Sequence, residues 1–376
     1  MKKLVIFQYR LLHYRTKLFE QLRTVCAERG IELHLVHGQA SRREAVKKDE
    51  GSLPWAHRVH NRFFELGERD LVWQPFPAVL KDADLVVVMQ ENRILSNYPL
   101  LIGRIWSTQK IAYWGHGKNF QSDAPAGLRE KWKDFLLSRV DWWFAYTEMT
   151  VDILRRAGYP QRQITCLDNA IDSSGFKADL AAWTAGELAA ERARLGIAAD
   201  SPVGLFCGSL YPDKRLDLLI AAADLIRREV PDFALLLIGD GPSMPQMREA
   251  AATRPWLHLL GVKKGREKAL YFGMGDVMLN PGLVGLHIVD AFCSGLVMMT
   301  TTTARHSPEV AYLRNGINGM AAGDTAEAYS RAVLDIITDP ERLAGMKRAA
   351  VADSDRYTLE NMVRRFADGI EAALHG

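Results

Sequence analysis

The chain has 376 residues, 48% apolar and 25% charged, which is the makeup of a folded globular protein and the length of two α/β domains rather than one. No apolar run approaches the ~18 residues of a membrane span, and Met1-Lys2-Lys3 leads straight into the strand-like Leu4-Val5-Ile6-Phe7, so no signal or spanning segment is read and the expected location is the cytosol. The net charge of +3 calls for no nucleic-acid partner; it divides into 26 Lys and Arg against 20 Asp and Glu over residues 1–172 and 22 against 25 beyond, so the first half, unless this is only a solvated face, suits a membrane surface or a phosphate-bearing acceptor.

In the first half, strand-like runs fall at residues 4–7, 32–36, 84–89, 110–114, 142–146 and 164–167. Helical patterns lie between them, as at 14–29, where Leu18, Leu22, Val25 and Cys26 share a face. Continuous apolar strands alternating with amphipathic helices predict a mostly parallel sheet covered on both sides. Such sheets take ligands at the carboxyl ends of their strands, which makes three loops candidates. Gln8-Tyr9-Arg10-Leu11-Leu12-His13-Tyr14-Arg15 contains no glycine, which argues against the Gly-x-Gly-x-x-Gly turn of a nicotinamide-dependent oxidoreductase. It offers Arg10, His13 and Arg15 to a phosphate or carboxylate instead. Gln90-Glu91-Asn92-Arg93 is the second loop. Gly115-His116-Gly117-Lys118-Asn119 is the third, its glycines letting the backbone come close to a ligand. Asp82-Ala83-Asp84 precedes an apolar strand and reads as a strand entrance rather than a metal clamp. Residues 128–139, with Trp132 and Lys133, and the following Trp142-Trp143 read as core or cleft wall in preference to a lipid contact.

Asp168-Asn169-Ala170-Ile171-Asp172 closes this half, and the boundary is expected near residue 172, giving domains over 1–172 and 173–376. An Ala-, Glu- and Arg-rich stretch to residue 200 reads as a surface helix. Strand 203–207 then leads through Gly208-Ser209-Leu210-Tyr211-Pro212-Asp213-Lys214-Arg215 into a helix whose Leu216, Leu219, Ile220 and Ala223 share a face. Strand 233–238 ends in the turn Gly239-Asp240-Gly241-Pro242, and strand 257–260 in Gly261-Val262-Lys263-Lys264. The most informative stretch is 280–309. A strand at 277–279 runs into Pro281-Gly282-Leu283-Val284-Gly285, a short helix through Ser294 and a strand at 296–300. With Gly285 at the opening of that helix, the amides of Val284, Gly285 and Leu286 find no acceptor inside it, which predicts an anion site. Leu286, Val289 and Cys293 form a packed face and His287, Asp290 and Ser294 another. Asp290 then projects about one turn from the anion, where a carboxylate repels phosphate but accepts hydrogen bonds from a ribose diol. The pattern implies a nucleoside diphosphate. A last helix at 359–374 has Thr358 as its N-cap. Cys26, Cys166, Cys207 and Cys293 lie far apart with no Cys-x-x-Cys pair and read as reduced core residues, not a disulfide or zinc framework.

Together these segments resemble the retaining family-4 glycosyltransferases of the GT-B fold. That family carries E-G-F-G-L-x-x-x-E-A-x-x-x-G-x-P, then P-E, then D-G-x-x-G. The matching residues are Gly282-Leu283-Val284-Gly285-Leu286, Asp290-Ala291, Gly295, Pro308-Glu309 and Asn315-Gly316-Ile317-Asn318-Gly319. Asp168 to Asp172 matches the family's N-G-[VI]-D junction, and Gly239-Asp240-Gly241-Pro242 its G-D-G-P turn. The resemblance implies an α/β fold of GT-B type, with two Rossmann-like domains facing each other across a cleft. The first is then the acceptor side and the second the donor side, and the last helix crosses back to the first. It implies transfer of a sugar, with retention at the anomeric carbon, from a UDP- or GDP-type nucleotide sugar to a glycan, lipid-linked or small-molecule acceptor. Cell-surface polysaccharide or glycoconjugate synthesis is the expected setting, in the cytosol or at the inner face of the membrane, with no metal or other cofactor. Donor binding falls on Gly208, Ser209, Lys214, Gly241, Val262, Gly282, Val284, Gly285, Leu286 and Asp290. Catalysis falls on His116 and Lys214, and the acceptor or phosphate side on Arg10, His13, Arg15, Glu91, Lys118 and Asn119. In that scheme Lys214 and the amides near Gly285 neutralise the diphosphate, Asp290 holds the ribose, and His116 contacts the sugar or its acceptor. No nucleophilic carboxylate is assigned, which suits front-side substitution with the leaving phosphate deprotonating the acceptor. Asp290 is a shortened form of the glutamate that holds the ribose, and two replacements go further: Gly282 replaces the glutamate that contacts the donor sugar, and Ser209 an arginine on the diphosphate, for which Arg10 or Arg15 would have to compensate. They keep open a non-catalytic nucleotide or glycan binder. A nucleotide-sugar epimerase of similar build would need catalytic carboxylates that the sequence does not offer.

Overall fold

The computed structural model describes residues 1–45, 49–67, 69–117 and 139–376, so that Lys118, Asn119 and the stretch containing Trp132 and Lys133 lie outside the described residues. The chain forms two compact units, Met1–Ile171 with Leu359–Gly376, and Asp172–Thr358.

In the first unit the strands are β1 (Lys2–Arg10), β2 (Ile31–Gly38), β3 (His57–Arg58), β4 (Arg62–Leu66), β5 (Arg69–Trp73), β6 (Leu85–Met89), β7 (Lys110–Gly115), β8 (Trp142–Ala145) and β9 (Ile164–Cys166). All but β4 and β5 make one parallel sheet in the order β3-β2-β1-β6-β7-β8-β9, with Leu4 opposite Leu33 on one side and Leu85 on the other. Alternate residues of the apolar runs feed two cores. Leu4, Ile6, Leu85, Val87, Trp114 and Phe144 meet the helix Thr16–Glu28 and the closing helix Leu359–His375, while Val5, Phe7, Val86, Val88, Ile111 and Trp143 meet Val151 and Leu154 of the helix Glu148–Arg156. The closing helix packs so tightly that a Cβ on Gly369 would stand 2.3 Å from Thr165 Oγ1, and its Phe366 ring lies 4.6 Å from Phe144 and 5.0 Å from Trp114. The hairpin β4–β5, which was not legible as strand, is antiparallel and carries exposed Phe64 and Leu66 among charged residues.

The second unit repeats the plan with β10 (Val203–Cys207), β11 (Ala234–Ile238), β12 (Leu257–Gly261), β13 (Val277–Leu279), β14 (Val297–Thr301) and β15 (Gly319–Ala322). They form a parallel sheet ordered β12-β11-β10-β13-β14-β15. One face packs on the helices Leu216–Glu229 and Ala326–Ile337, the other on Gly265–Met274 and His287–Cys293. The Ala-, Glu- and Arg-rich stretch is two helices rather than one, Ser174–Ala181 and Ala185–Arg194. The second starts at Thr184, whose side chain and that of Glu187 cap each other's backbone amides. Asn315 to Gly319 is a turn: Gly316 N–H donates to the Gly319 carbonyl (2.8 Å), and Gly319 approaches the Met298 carbonyl too closely for a side chain. The D-G-x-x-G-like segment therefore serves the fold. Each unit is Rossmann-like, with its first and fourth sheet strands side by side. There the chain's successive connections leave to opposite faces, and a crevice opens at the strand ends.

Candidate functional site

In the second unit that crevice lies between the loops that follow β10 and β13. Gly208 N–H continues the sheet onto Ile238 O (3.0 Å), and Gly239, at φ +142°, lies against it: a Cβ there would be 1.8 Å from Gly208 O. Gly241 meets Leu210 in the same way, at 2.7 Å from its carbonyl oxygen. Gly239 and Gly241 therefore let their loop touch the one carrying Gly208 and Leu210 backbone to backbone, while Ser209 and Val262 stand exposed. The chain then turns through Pro212–Lys214 into Arg215, which adopts the left-handed conformation at φ +53° and anchors its guanidinium on Asp324.

Lys214 reaches across the crevice and donates from Nζ to the Leu283 carbonyl. Leu283 N–H donates back to Asp213 O (3.1 Å), so the two loops are laced together. Gly282 lies in this seam, where a Cβ would stand 2.3 Å from Asp213 O and 2.5 Å from Lys214 Cα. That corrects the reading of Gly282 as a lost donor-sugar contact, because no side chain of any kind has room there on this backbone. Burial pushes the Lys214 ammonium down from its ordinary pKa.

The anion site differs in detail from expectation. Val284 N–H is not directed outward; it donates to His306 Nδ1 (3.2 Å), whose Nε2–H donates to Thr301 O (2.9 Å), so the ring is neutral and braces the loop. The amides of Gly285 and Leu286 have no acceptor among the described residues. Asn280 Nδ2 donates both to Leu283 O and to His287 Nε2, each at 2.9 Å, which leaves the His287 proton on Nδ1. Burial, with Lys214, Lys268 and His306 nearby, pushes His287 down to about 3. Asp290 does not project to solvent. It is 6% exposed, alongside Ile288, Ala291 and Phe292, and the helix face expected from Leu286, Val289 and Cys293 is wider than the spacing suggested. Its Oδ2 accepts from Lys268 Nζ at 2.7 Å. Burial raises the Asp290 carboxyl and the Lys268 ammonium opposes that shift.

Lys268, Asn280 and His306 were missed. Asn280 and His306 lie in the stretch singled out, but their partners are loop atoms that periodicity cannot reveal. Lys268 sits on another helix 22 residues before Asp290.

In the first unit, the corresponding loops follow β1 and β6. Arg10, expected to hold phosphate, is 8% exposed and bound elsewhere: Nη1 to Asp49 (2.6 Å) and Nε to Tyr9 Oη (3.0 Å). Glu91 pairs with Arg93 (2.7 Å), which also bonds Glu44 (3.2 Å) and covers the Tyr9 ring at 4.5 Å. His13 is exposed, its Nδ1 3.1 Å from Asp49 O. Arg15 is buried over the Trp114 ring (4.5 Å) and donates to Tyr146 Oη (3.2 Å). The His116 ring contacts Tyr146 at 4.2 Å; burial and Arg15 push it down to about 4, and its Nδ1 has no partner among the described residues.

Residues 201–339, which span the loops after β10, β11, β12 and β13, match the family described as glycosyl transferases group 1. The chain is 28% identical over 203 residues to the D-inositol 3-phosphate glycosyltransferase of Streptomyces avermitilis, covering 50% of this chain and 43% of that protein. It is 24% identical over 184 residues to the alpha-monoglucosyldiacylglycerol synthase of Acholeplasma laidlawii, covering 47% of this chain and 45% of that protein. The chain thus spans about half the length of the curated relatives it matches. Among solved structures, Anabaena HepE in complex with UDP aligns over 99% of this chain and 100% of its own, with a TM-score of 0.69 at 14% identity. At that identity the likeness concerns the fold alone. The fold is α/β with two Rossmann-like units, the build of GT-B glycosyltransferases, and its second unit carries the segment that matches glycosyl transferases group 1.

Proposed function

We propose that the chain is a glycosyltransferase that takes its sugar from a nucleoside diphosphate sugar, and that the second unit's crevice holds the nucleotide. The observation that carries this reading is that, across the β10–β13 reversal, half-buried Lys214 is bound to the same loop, at the Leu283 carbonyl, that carries the acceptor-less amides of Gly285 and Leu286. An ammonium and helix-opening amides suit a diphosphate, and their attraction grows as charge develops on the departing phosphate. Asp290 would accept from the ribose hydroxyls. Neutral His287 and His306 hold the loops without adding charge. Retention at the anomeric carbon, independence of metal, and a glycan or lipid-linked acceptor belong to the same reading. They are supported by the family resemblance, as are synthesis of cell-surface glycan in the cytosol and contact with the inner membrane face. Among the described residues no helix is long and apolar enough to cross a membrane, and no group of three or more metal-ligating side chains occurs.

The test is a thermal-shift screen against UDP, GDP, ADP, TDP and CMP, repeated with Lys214→Ala. One diphosphate should raise the melting temperature of the wild type and raise that of the variant far less. No shift with any of them removes the donor-site reading. A second reading, a nucleotide or glycan binder without turnover, draws on exposed Ser209 and on the absence of room for a sugar-contacting side chain at Gly282. Slow hydrolysis of the matching nucleotide sugar, unaffected by EDTA, would count against it.

A further inference from the structure

Lys268 lies on the helix Gly265–Met274, outside every motif of the family resemblance, and no role in the site follows from the sequence. Its Nζ stands 2.7 Å from Asp290 Oδ2, with side chains 22% and 9% exposed. On its other side the ammonium rests over two rings, Phe176 at 4.8 Å and Phe272 at 5.2 Å. Those rings stand edge to face at 5.3 Å and form a fixed wall. A cation held between a carboxylate and two aromatic faces cannot swing to a phosphate without giving up all three contacts. This separates Lys268 from Lys214, whose Nζ is held by a single backbone carbonyl. Asp290 is engaged on one oxygen only. No donor reaches its Oδ1 among the described residues.

We infer that Lys268 is the positioning residue for sugar-ring recognition in the nucleotide: its contact with Oδ2 sets the plane of the Asp290 carboxylate and leaves Oδ1 as the acceptor for a ribose hydroxyl. The inference rests on the donor-site reading given above. It makes ribose recognition a property of the pair. Asp290 alone, buried without its cation, would take up a proton, and a protonated carboxyl offers the diol a weaker and differently directed acceptor.

The pair is tested by measuring, calorimetrically, the affinities of the diphosphate that binds and of its 2′-deoxy and 3′-deoxy forms, for the wild type, Lys268→Met, Lys268→Arg and Asp290→Asn. Met is unbranched and apolar and can lie along the same two rings, and a circular-dichroism melt reports whether it folds; Lys268→Gln replaces it if it does not. The wild type should prefer the ribose form over at least one deoxy form by about tenfold or more, the value of a hydrogen bond to a charged group. Lys268→Met should bring that ratio close to one, as Asp290→Asn does, while deoxy affinity stays near that of the wild type. Lys268→Arg should restore most of the preference. A ratio unchanged in Lys268→Met overturns the inference, and so does an equal loss of ribose and deoxy forms, which would mark Lys268 as a phosphate cation or a purely structural residue. A wild type that binds the diphosphate with no preference for ribose overturns the inference while the donor site stands. A wild type that binds no diphosphate removes both.

Discussion

The two units reverse strand order at the same point, between β1 and β6 in one and β10 and β13 in the other, yet the loops at the two reversals have opposite character. In the first unit nearly every charge in those loops is matched inside the unit: Arg10 by Asp49, and Arg93 by Glu91 and Glu44. In the second, among the described residues, Lys214 is bound only to a backbone carbonyl, two amides lack acceptors, and Asp290 keeps one oxygen without a donor. Strand topology opens a crevice in both. Whether a crevice is ready for an external charge depends on what the loops leave unsatisfied, and by that measure the second unit's crevice is the one left open to an external anion.

The largest effect should come from breaking that contrast at Lys214. Lys214→Met is expected to lower turnover of a nucleotide sugar by about 10²–10³, the usual loss when one preorganised charge-stabilising group is removed. Arg10→Met is the matched control. It should leave diphosphate affinity unchanged while destabilising the first unit by about 1–3 kcal/mol; Asp49, at 25% exposure, keeps some solvation when its partner goes, which holds the loss below that of a fully buried pair. Titration calorimetry with denaturant melts of the two variants separates the effects. Equal losses of affinity in both would mean that the two crevices do not differ as argued.

Restoring the glutamate typical of the resemblance is the next test. Gly282→Glu should not improve activity. With a Cβ facing Asp213 O at 2.3 Å, it should force the Lys214 loop away and cost about 3 kcal/mol or more of stability, at or above the upper end for overpacking. A folded, more active Gly282→Glu enzyme would show that the loop is more yielding than its backbone contacts indicate.

Each unit also holds a half-buried histidine held neutral by its surroundings, and here they should behave alike. His116 is held down to about 4 and His287 to about 3, against 6.5 when unfolded. The unfolded chain therefore takes up protons first as pH falls. Stability from this source is whole above pH 6.5 and drains away as pH drops toward 4 for His116 and toward 3 for His287. Each ring should contribute about 1.4 kcal/mol per pH unit within that window. Urea midpoints at successive pH values should show His116→Gln and His287→Gln each flattening the slope by that amount. A slope left unchanged by His287→Gln would mean that water reaches the ring.

The sheets were legible because uninterrupted apolar runs such as Leu85 to Val88 and Ala234 to Ile238 leave no other reading, and the main loops followed from the strand ends. The hairpin β4–β5 was not, since Phe63, Phe64, Leu71 and Val72 stand among charges, and of the four only Val72 is fully buried, on Tyr9 and Ile94 with Phe63 beside it. At the site, Gly285 and Asp290 were singled out by spacing and Lys214 by the family resemblance. What spacing could not supply was satisfaction: that Arg10 is already paired, that Val284 N–H belongs to His306, and that Asp290 is held by Lys268. These are contacts between residues far apart in the chain. Gly282 was misread for a related reason, because a missing side chain looks like a loss until the backbone beside it is seen.

The smallest expected effect concerns two non-glycine residues at left-handed backbone angles, one in each unit: Asp168 at φ +49° and Arg215 at φ +53°. Both are tied by ion pairs, to Arg365 at 3.2 Å and to Asp324 respectively. Aspartate tolerates this conformation better than arginine, so the strain should be larger at Arg215. Arg215→Gly relieves roughly 1–2 kcal/mol of strain but loses a half-exposed ion pair and adds backbone freedom to the unfolded chain, for a net change within about 1 kcal/mol. Arg215→Ala loses the same ion pair and keeps the strain. The stability difference between those two variants should favour glycine by about 1 kcal/mol, and the matching pair at Asp168 should differ by less. Urea melts of the four variants measure both differences. Equal differences at the two positions would show that Arg215 sits in its loop without strain, and that the turn carrying Lys214 across the crevice is relaxed.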